Sequence, residues 1–160
     1  MRFKFTKELC YIAGLASRTH EPERSQVGIM TSNDELMERF IKYAMKLGVD
    51  SKKIMIEEQD TTKHIYFYHS KLARIIQEVL KQRSALPKKG RELAVAFIAG
   101  TFDAGGHMMR DKITIKRLDK GDELLLELMG IHTVNSKILN IGDFFRLIKG
   151  HSIIAESATF

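Results

Sequence analysis

Few residues in this sequence have the types and spacing that catalysis requires. The six histidines form no HExxH pattern, and the single cysteine, Cys10, has no second cysteine for a disulfide or a cysteine-rich zinc site. The sequence contains no P-loop, no GxGxxG after a strand and no GxSxG elbow, so nucleotide-dependent and α/β-hydrolase chemistry are not indicated. The residues alone therefore give little support to an enzyme.

The most informative stretch for a binding function is the basic segment 109–117. As one strand, it would place Met109, Ile113 and Ile115 on a core face and expose the alternate residues Arg110, Lys112, Thr114 and Lys116. Segment 24–32 predicts a weaker basic face that includes Arg24 and Gln26. Solvated lysines on an ordinary antiparallel strand are the alternative interpretation.

The composition fits one folded, cytoplasmic domain. Hydrophobic residues make up 44% of the 160 residues and charged residues 29%, and the net charge of +6 only slightly favours nucleic acid as a partner. No apolar run approaches the ~20 residues that span a bilayer, and the first residues lack a signal-peptide cleavage site. We therefore expect no membrane association and a cytoplasmic location.

An internal repeat organises the chain. Tyr11-Ile12-Ala13-Gly14 returns as Phe97-Ile98-Ala99-Gly100. We predict a first repeat over 1–85, a linker over 86–90 and a shorter second repeat over 91–160, together forming one compact domain. Helical and alternating apolar patterns predict the order α-β-α-β-β-α for the first repeat, and hence a mixed α/β fold.

The second copy of the repeat resembles a known family signature. The run Ile98-Ala99-Gly100-Thr101-Phe102-Asp103-Ala104-Gly105-Gly106 is similar to the LAGLIDADG motif of homing endonucleases, whereas the first copy keeps only its apolar beginning. This resemblance implies a pseudo-twofold, duplicated fold with two central packed helices. It also implies antiparallel sheets that lie over the major groove of DNA.

Small residues in both copies fit the implied helix contact. Ala13, Gly14, Ala99 and Gly100 lie in the middle of predicted helices, where glycine costs ~1 kcal/mol relative to alanine. Close approach of two helix backbones would justify that cost. We therefore predict that these four residues form the helix interface.

The acids that the family uses for catalysis are missing. The resemblance implies metal-dependent phosphodiester hydrolysis with one carboxylate from the eighth position of each motif, and those positions hold Thr19 and Gly105. Asp103 is the only carboxylate left in the motifs, and the resemblance gives its position a structural role at the end of the helix. We predict no intact catalytic residue, no metal site and no cofactor.

The sequence thus predicts a monomeric, homing-endonuclease-like protein that binds double-stranded DNA and has lost cleavage, as do degenerate family members used in transcription control. Two alternatives stay open. One is an active endonuclease with relocated carboxylates and Mg²⁺. The other is a protein–protein interaction module on the same fold.

Overall fold

The computed structural model describes residues 4–19 and 25–157. These residues form eight helices: α1 (Lys7–Thr19), α2 (Asp34–Lys46), α3 (Ser70–Lys81), α4 (Leu86–Lys89), α5 (Arg91–Gly105), α6 (Lys120–Leu128), α7 (Ile141–Ile148) and α8 (Ile153–Ser157). They also form seven strands: β1 (Gln26–Thr31), β2 (Met55–Gln59), β3 (Thr62–Tyr68), β4 (Gly106–Met109), β5 (Lys112–Ile115), β6 (Thr133–Val134) and β7 (Lys137–Ile138). The predicted mixed α/β class with antiparallel sheets is confirmed.

Helices α1 and α5 pack against each other at the centre of the molecule. Both are buried on all sides along most of their length, including 94–103 of α5. A Cβ atom built on Gly14 would lie 2.8 Å from the backbone nitrogen of Thr101, and one built on Gly100 would lie 3.1 Å from that of Leu15. Only glycine allows backbones this close, so the structure places Gly14 and Gly100 at the helix contact. Ala13 and Ala99 are fully buried beside them.

The first sheet has the strand order β1-β3-β2, with all pairs antiparallel. Val27, Ile29, Ile65 and Phe67 project from one face into the core, where helices α1, α2 and α3 cover them. Alternate residues of β1 and β3 therefore point away from the core. Helix α2 is capped by Asn33, whose side-chain oxygen accepts hydrogen bonds from two backbone N–H groups. Ser32 and Glu35 match the capping-box pattern in the sequence, but the N-cap residue in the structure is Asn33.

The second sheet has the order β4-β5-β7-β6, and it corrects the prediction of one strand over 109–117. Helix α5 runs to Gly105, and β4 and β5 form a hairpin in which Met109 pairs with Lys112. Arg110 and Asp111 make the turn. Because a two-residue turn reverses the alternation, Met109 joins the exposed face, with 60% of its surface accessible, while Met108 packs towards the core.

The segment predicted as a linker, 86–90, and the described residues near the end of the chain each contain a short helix. Residues 86–89 form α4 with Leu86 fully buried, so this connection packs as part of the core. Near the end of the chain, Ile153–Ser157 forms α8, which contacts α5.

Candidate nucleic-acid interface

The exposed side of the second sheet carries lysines. Lys112 stands opposite Met109, and Thr114 stands between His107 on β4 and Lys137 on β7. Residues paired across antiparallel strands project from the same face, so the two lysines share one surface. We call the exposed residues of this sheet the second-sheet face: His107, Met109, Lys112, Thr114, Val134 and Lys137.

The predicted DNA-contacting residues of segment 109–117 do not all lie on this face. Lys112 and Thr114 do, whereas Arg110 lies in the β4–β5 turn and Lys116 follows the end of β5. The sequence does not indicate Lys137, because β7 is only two residues long and shows no alternation. Its pairing with Thr114 brings it to the face.

The exposed side of the first sheet has a different character. We call its residues the first-sheet face: Gln26, Gly28, Met30, Met55, Glu57, Gln59, Thr62, His64, Tyr66 and Tyr68. Strands β1, β2 and β3 contain no arginine, and their one lysine, Lys63, lies on the opposite side, 3.4 Å from Asp34. Gln26, predicted to contact DNA, is on this face, and Arg24 lies outside the described residues.

An aromatic row runs along β3 on the first-sheet face. The rings of His64 and Tyr66 stack with centroids 4.5 Å apart, and Tyr68 meets Tyr66 edge-on at 5.9 Å. A Cβ atom on Gly28 would lie 2.8 Å from Cβ of Tyr66, so glycine makes the space for this row. The Tyr66 hydroxyl donates a hydrogen bond to Glu57 at 2.5 Å.

The ends of the central helices hold a buried arginine rather than a pair of acids. The Arg18 side chain, 6% exposed, packs over Gly105, where an added Cβ atom would lie 3.1 Å from Cγ of Arg18. The Arg18 guanidinium pairs with Asp122, whose carboxylate also lies 2.9 Å from Nε of Arg83. Arg83 in turn donates to both carboxylate oxygens of Asp119. Asp119 and Asp122, at the start of α6, are thus both paired with arginines.

Asp103 is fully engaged in structural contacts. Its buried carboxylate accepts hydrogen bonds from the Tyr11 hydroxyl, from the Ser152 hydroxyl at 2.5 Å and from the backbone N–H groups of Ile153 and Ile154 at 2.9 and 3.2 Å. Burial raises the pKa of Asp103, although these hydrogen bonds act in the opposite direction. Asp103 therefore binds the start of α8 instead of ending its own helix.

This donor set does not fit a divalent metal. Gly105 has no side chain, Arg18 beside it is cationic, and the oxygens of Asp103 are occupied. Within residues 4–19 and 25–157, no group of three or more His, Cys, Asp or Glu side chains is arranged to hold a metal ion. Within the same ranges, no helix has the length and apolar character needed to cross a membrane.

Comparison of sequences finds a relative but no family. No family model matches the chain. A component of the A-type ATP synthase of Methanopyrus kandleri is 32% identical over 135 residues, which are 80% of this chain. The chain spans only 13% of the length of that curated relative, so the name of the relative does not describe the role of this chain.

Solved structures superpose on nearly the whole of this chain. A crystal structure of I-DmoI in complex with DNA and Mn is 19% identical and superposes with a TM-score of 0.66 over 98% of this chain and 100% of that one. Mesophilic variants of the homing endonuclease I-DmoI superpose with a TM-score of 0.68 at 17% identity, over 90% of this chain and 96% of theirs. Full-length DUF199/WhiA from Thermatoga maritima gives a TM-score of 0.63 at 14% identity, covering 98% of this chain and 60% of that protein. With its two packed central helices and two antiparallel sheets, the chain has the fold of the LAGLIDADG homing endonuclease I-DmoI.

Proposed function

We propose that this chain binds double-stranded DNA across its two sheets and does not cleave it. The observation that carries the proposal is the pair of exposed lysines, Lys112 and Lys137, on one sheet of a fold that also occurs in a DNA complex. Lysines on an exposed sheet bind phosphates as point charges. The two sheets belong to the two predicted repeats, 1–85 and 91–160, so one monomer would contact one duplex with both.

The ends of the central helices support the proposed lack of cleavage. Metal-assisted phosphodiester hydrolysis needs anionic oxygen ligands for the metal at the scissile phosphate. Gly105 cannot supply one, Asp103 is bound to the start of α8, and the Arg18 side chain occupies the space beside Gly105. A protein of this kind would act by occupying DNA, which suits a regulatory role.

The test is a binding and nicking assay in the same tubes. Wild-type protein is mixed with random-sequence linear duplexes and with supercoiled plasmid across a salt series, with and without Mg²⁺. We expect retention that weakens steeply with salt and plasmid that stays supercoiled. Lys112→Ala with Lys137→Ala should lower the affinity, whereas Lys42→Ala, at an exposed position on α2, should not.

Two outcomes would contradict the proposal. Nicking that requires Mg²⁺ would favour an active endonuclease with relocated acids. Failure to retain either DNA at low salt would favour a protein-binding module on the same fold.

A further inference from the structure

Helices α2 and α6 end in the same way, so their residues can be compared position by position. The glycine that follows each helix, Gly48 or Gly130, has a positive φ, 97° or 82°. The next residue donates its backbone N–H to the carbonyl five positions earlier, at 3.1 Å after α2 and at 2.8 Å after α6. Counted back from these glycines, each residue of α2 corresponds to the residue 82 positions later in α6.

Each of the two helices has a stripe of accessible side chains along its outer side. Residues three or four positions apart lie on the same face of a helix. The α2 stripe consists of Glu38, Ile41, Lys42, Met45 and Lys46. The corresponding α6 stripe consists of Lys120, Glu123, Leu124, Glu127 and Leu128.

Both stripes expose large apolar side chains. Leu124 and Leu128, one turn apart on α6, are 51% and 56% exposed, and Met45 on α2 is 48% exposed. Single exposed apolar residues are common on folded proteins, whereas adjacent ones with charged neighbours are typical of an interaction surface. The α6 stripe therefore has the composition of a surface that a partner covers.

The charges of the two stripes have opposite signs along their whole length. The α2 stripe is acidic at its beginning and basic in the next two turns, whereas the α6 stripe is basic at its beginning and acidic in the next two turns. Within the chain, Lys46 lies 3.8 Å from Glu8 and Glu127 lies 3.1 Å from His132. The charges are thus matched for contact between one stripe and the other.

We propose that the α6 stripe of one copy of this chain binds the α2 stripe of a second copy, with the two helices parallel. In the antiparallel direction, Glu38 would face Glu127. A twofold dimer through a single stripe would place Lys42 against Lys42, or Glu123 against Glu123, near its centre. The parallel contact between unlike stripes is the arrangement that pairs opposite charges in all three turns.

This contact goes beyond the proposed DNA binding and does not depend on it, because neither stripe belongs to a sheet face. It joins two different surfaces, so a pair of copies keeps one free stripe of each kind and can add further copies. A stripe of this length is about 14 Å long and one helix wide, which is smaller than the ~800 Å² per partner of a standard interface. The contact is therefore weak, and the dilute chain stays monomeric.

The test is sedimentation equilibrium of the full chain without DNA, at low salt and at concentrations up to about 1 mM. The average mass of wild type should rise with concentration, and added salt should reduce the rise. Lys42→Glu and Glu123→Lys should each weaken the association roughly fivefold or more, because each replaces an attraction by a repulsion. Lys71→Glu and Glu92→Lys are the matched controls, since they change the net charge equally at exposed positions outside both stripes.

A mixture of the two stripe variants identifies the surfaces that meet. Unlike copies in a mixture of Lys42→Glu and Glu123→Lys present opposite charges at both contacts, so the association should recover towards the wild-type level. A wild-type mass that remains that of one chain at every concentration would overturn the proposal. So would a mixture that associates no better than its components, which is the result expected of a twofold dimer through one stripe. Neither result would affect the proposed DNA binding, which is measured separately on dilute protein.

Discussion

Replacement of Gly14 by alanine tests the central helix contact most directly. In an unobstructed helix this change stabilises by up to about 1 kcal/mol, because alanine has the higher helix propensity. Here the new Cβ atom would lie 2.8 Å from the backbone nitrogen of Thr101 and closer still to the carbonyl oxygen of Phe97. Ordinary contacts begin near 3.4 Å, so the two helix backbones must separate.

The expected cost follows from what obstructs the methyl group. Overpacking costs about 1–3 kcal/mol, and backbone atoms of α5 cannot rotate away as a side chain could, so the upper end applies. After the gain in propensity is subtracted, Gly14→Ala should lower the free energy of unfolding by about 2 kcal/mol. For a chain of 160 residues, this corresponds to a fall in Tm of about 4–8 °C.

The assay is thermal and urea unfolding followed by circular dichroism, with Gly142→Ala as the matched control. Gly142 lies in helix α7, and apart from its chain neighbours and the backbone of its own helix, no atom lies within 4 Å of the position that its Cβ atom would take, so alanine there should stabilise the protein. The two substitutions are chemically identical and should have opposite signs. An unchanged or higher Tm for Gly14→Ala would refute the close contact of α1 and α5.

Three further predictions concern buried groups. Arg18→Met should lower the free energy of unfolding, measured by urea titration, by about 3 kcal/mol, because the buried Asp122 then keeps only Arg83 as a partner. Adding Asp122→Asn should recover part of that loss, whereas purely additive effects of the two substitutions would argue against the ion pair. Burial raises the pKa of the Cys10 thiol to about 12. The thiol should therefore resist iodoacetamide at pH 8 until the protein unfolds, and rapid labelling of the native protein would contradict the burial of Cys10. The pKa of Asp103 is raised in the folded state, so protonation of Asp103 favours folding. This contribution to stability is complete below the unfolded-state pKa of ~3.9 and is lost as pH rises through the folded-state pKa. The stability of wild type relative to Asp103→Asn should therefore fall with rising pH, and a difference that does not change with pH would exclude this linkage.

Local patterns in the sequence predict much of the fold. The apolar period of Leu36, Phe40 and Ala44 predicts α2 within a residue or two, because a helix that covers a sheet must bury one stripe. The small residues Gly14 and Gly100 indicate a close helix contact for a similar reason: a glycine in mid-helix needs a neighbour that excludes a Cβ atom.

The features that local patterns miss depend on contacts between distant parts of the chain. Arg18 pairs with Asp122, 104 positions away, and Asp103 binds the backbone at Ile153, 50 positions away. No spacing rule connects such residues. The β4–β5 hairpin is hidden from sequence patterns for a local reason. Arg110 in the turn is basic, like the lysines that follow it, and it fits the alternation of polar and apolar residues expected of one strand over 109–117.

The Gly14–Gly100 contact has a consequence for the newly synthesised chain. The partner of α1 emerges 86 residues later, which takes roughly 4–17 s at ~5–20 residues per second. During that interval, the apolar surface of α1 facing α5 has no partner within its own half of the chain. We therefore expect the nascent first half to attract chaperones, and expect separately expressed fragments 1–89 and 90–160 to aggregate alone yet assemble when they are produced together.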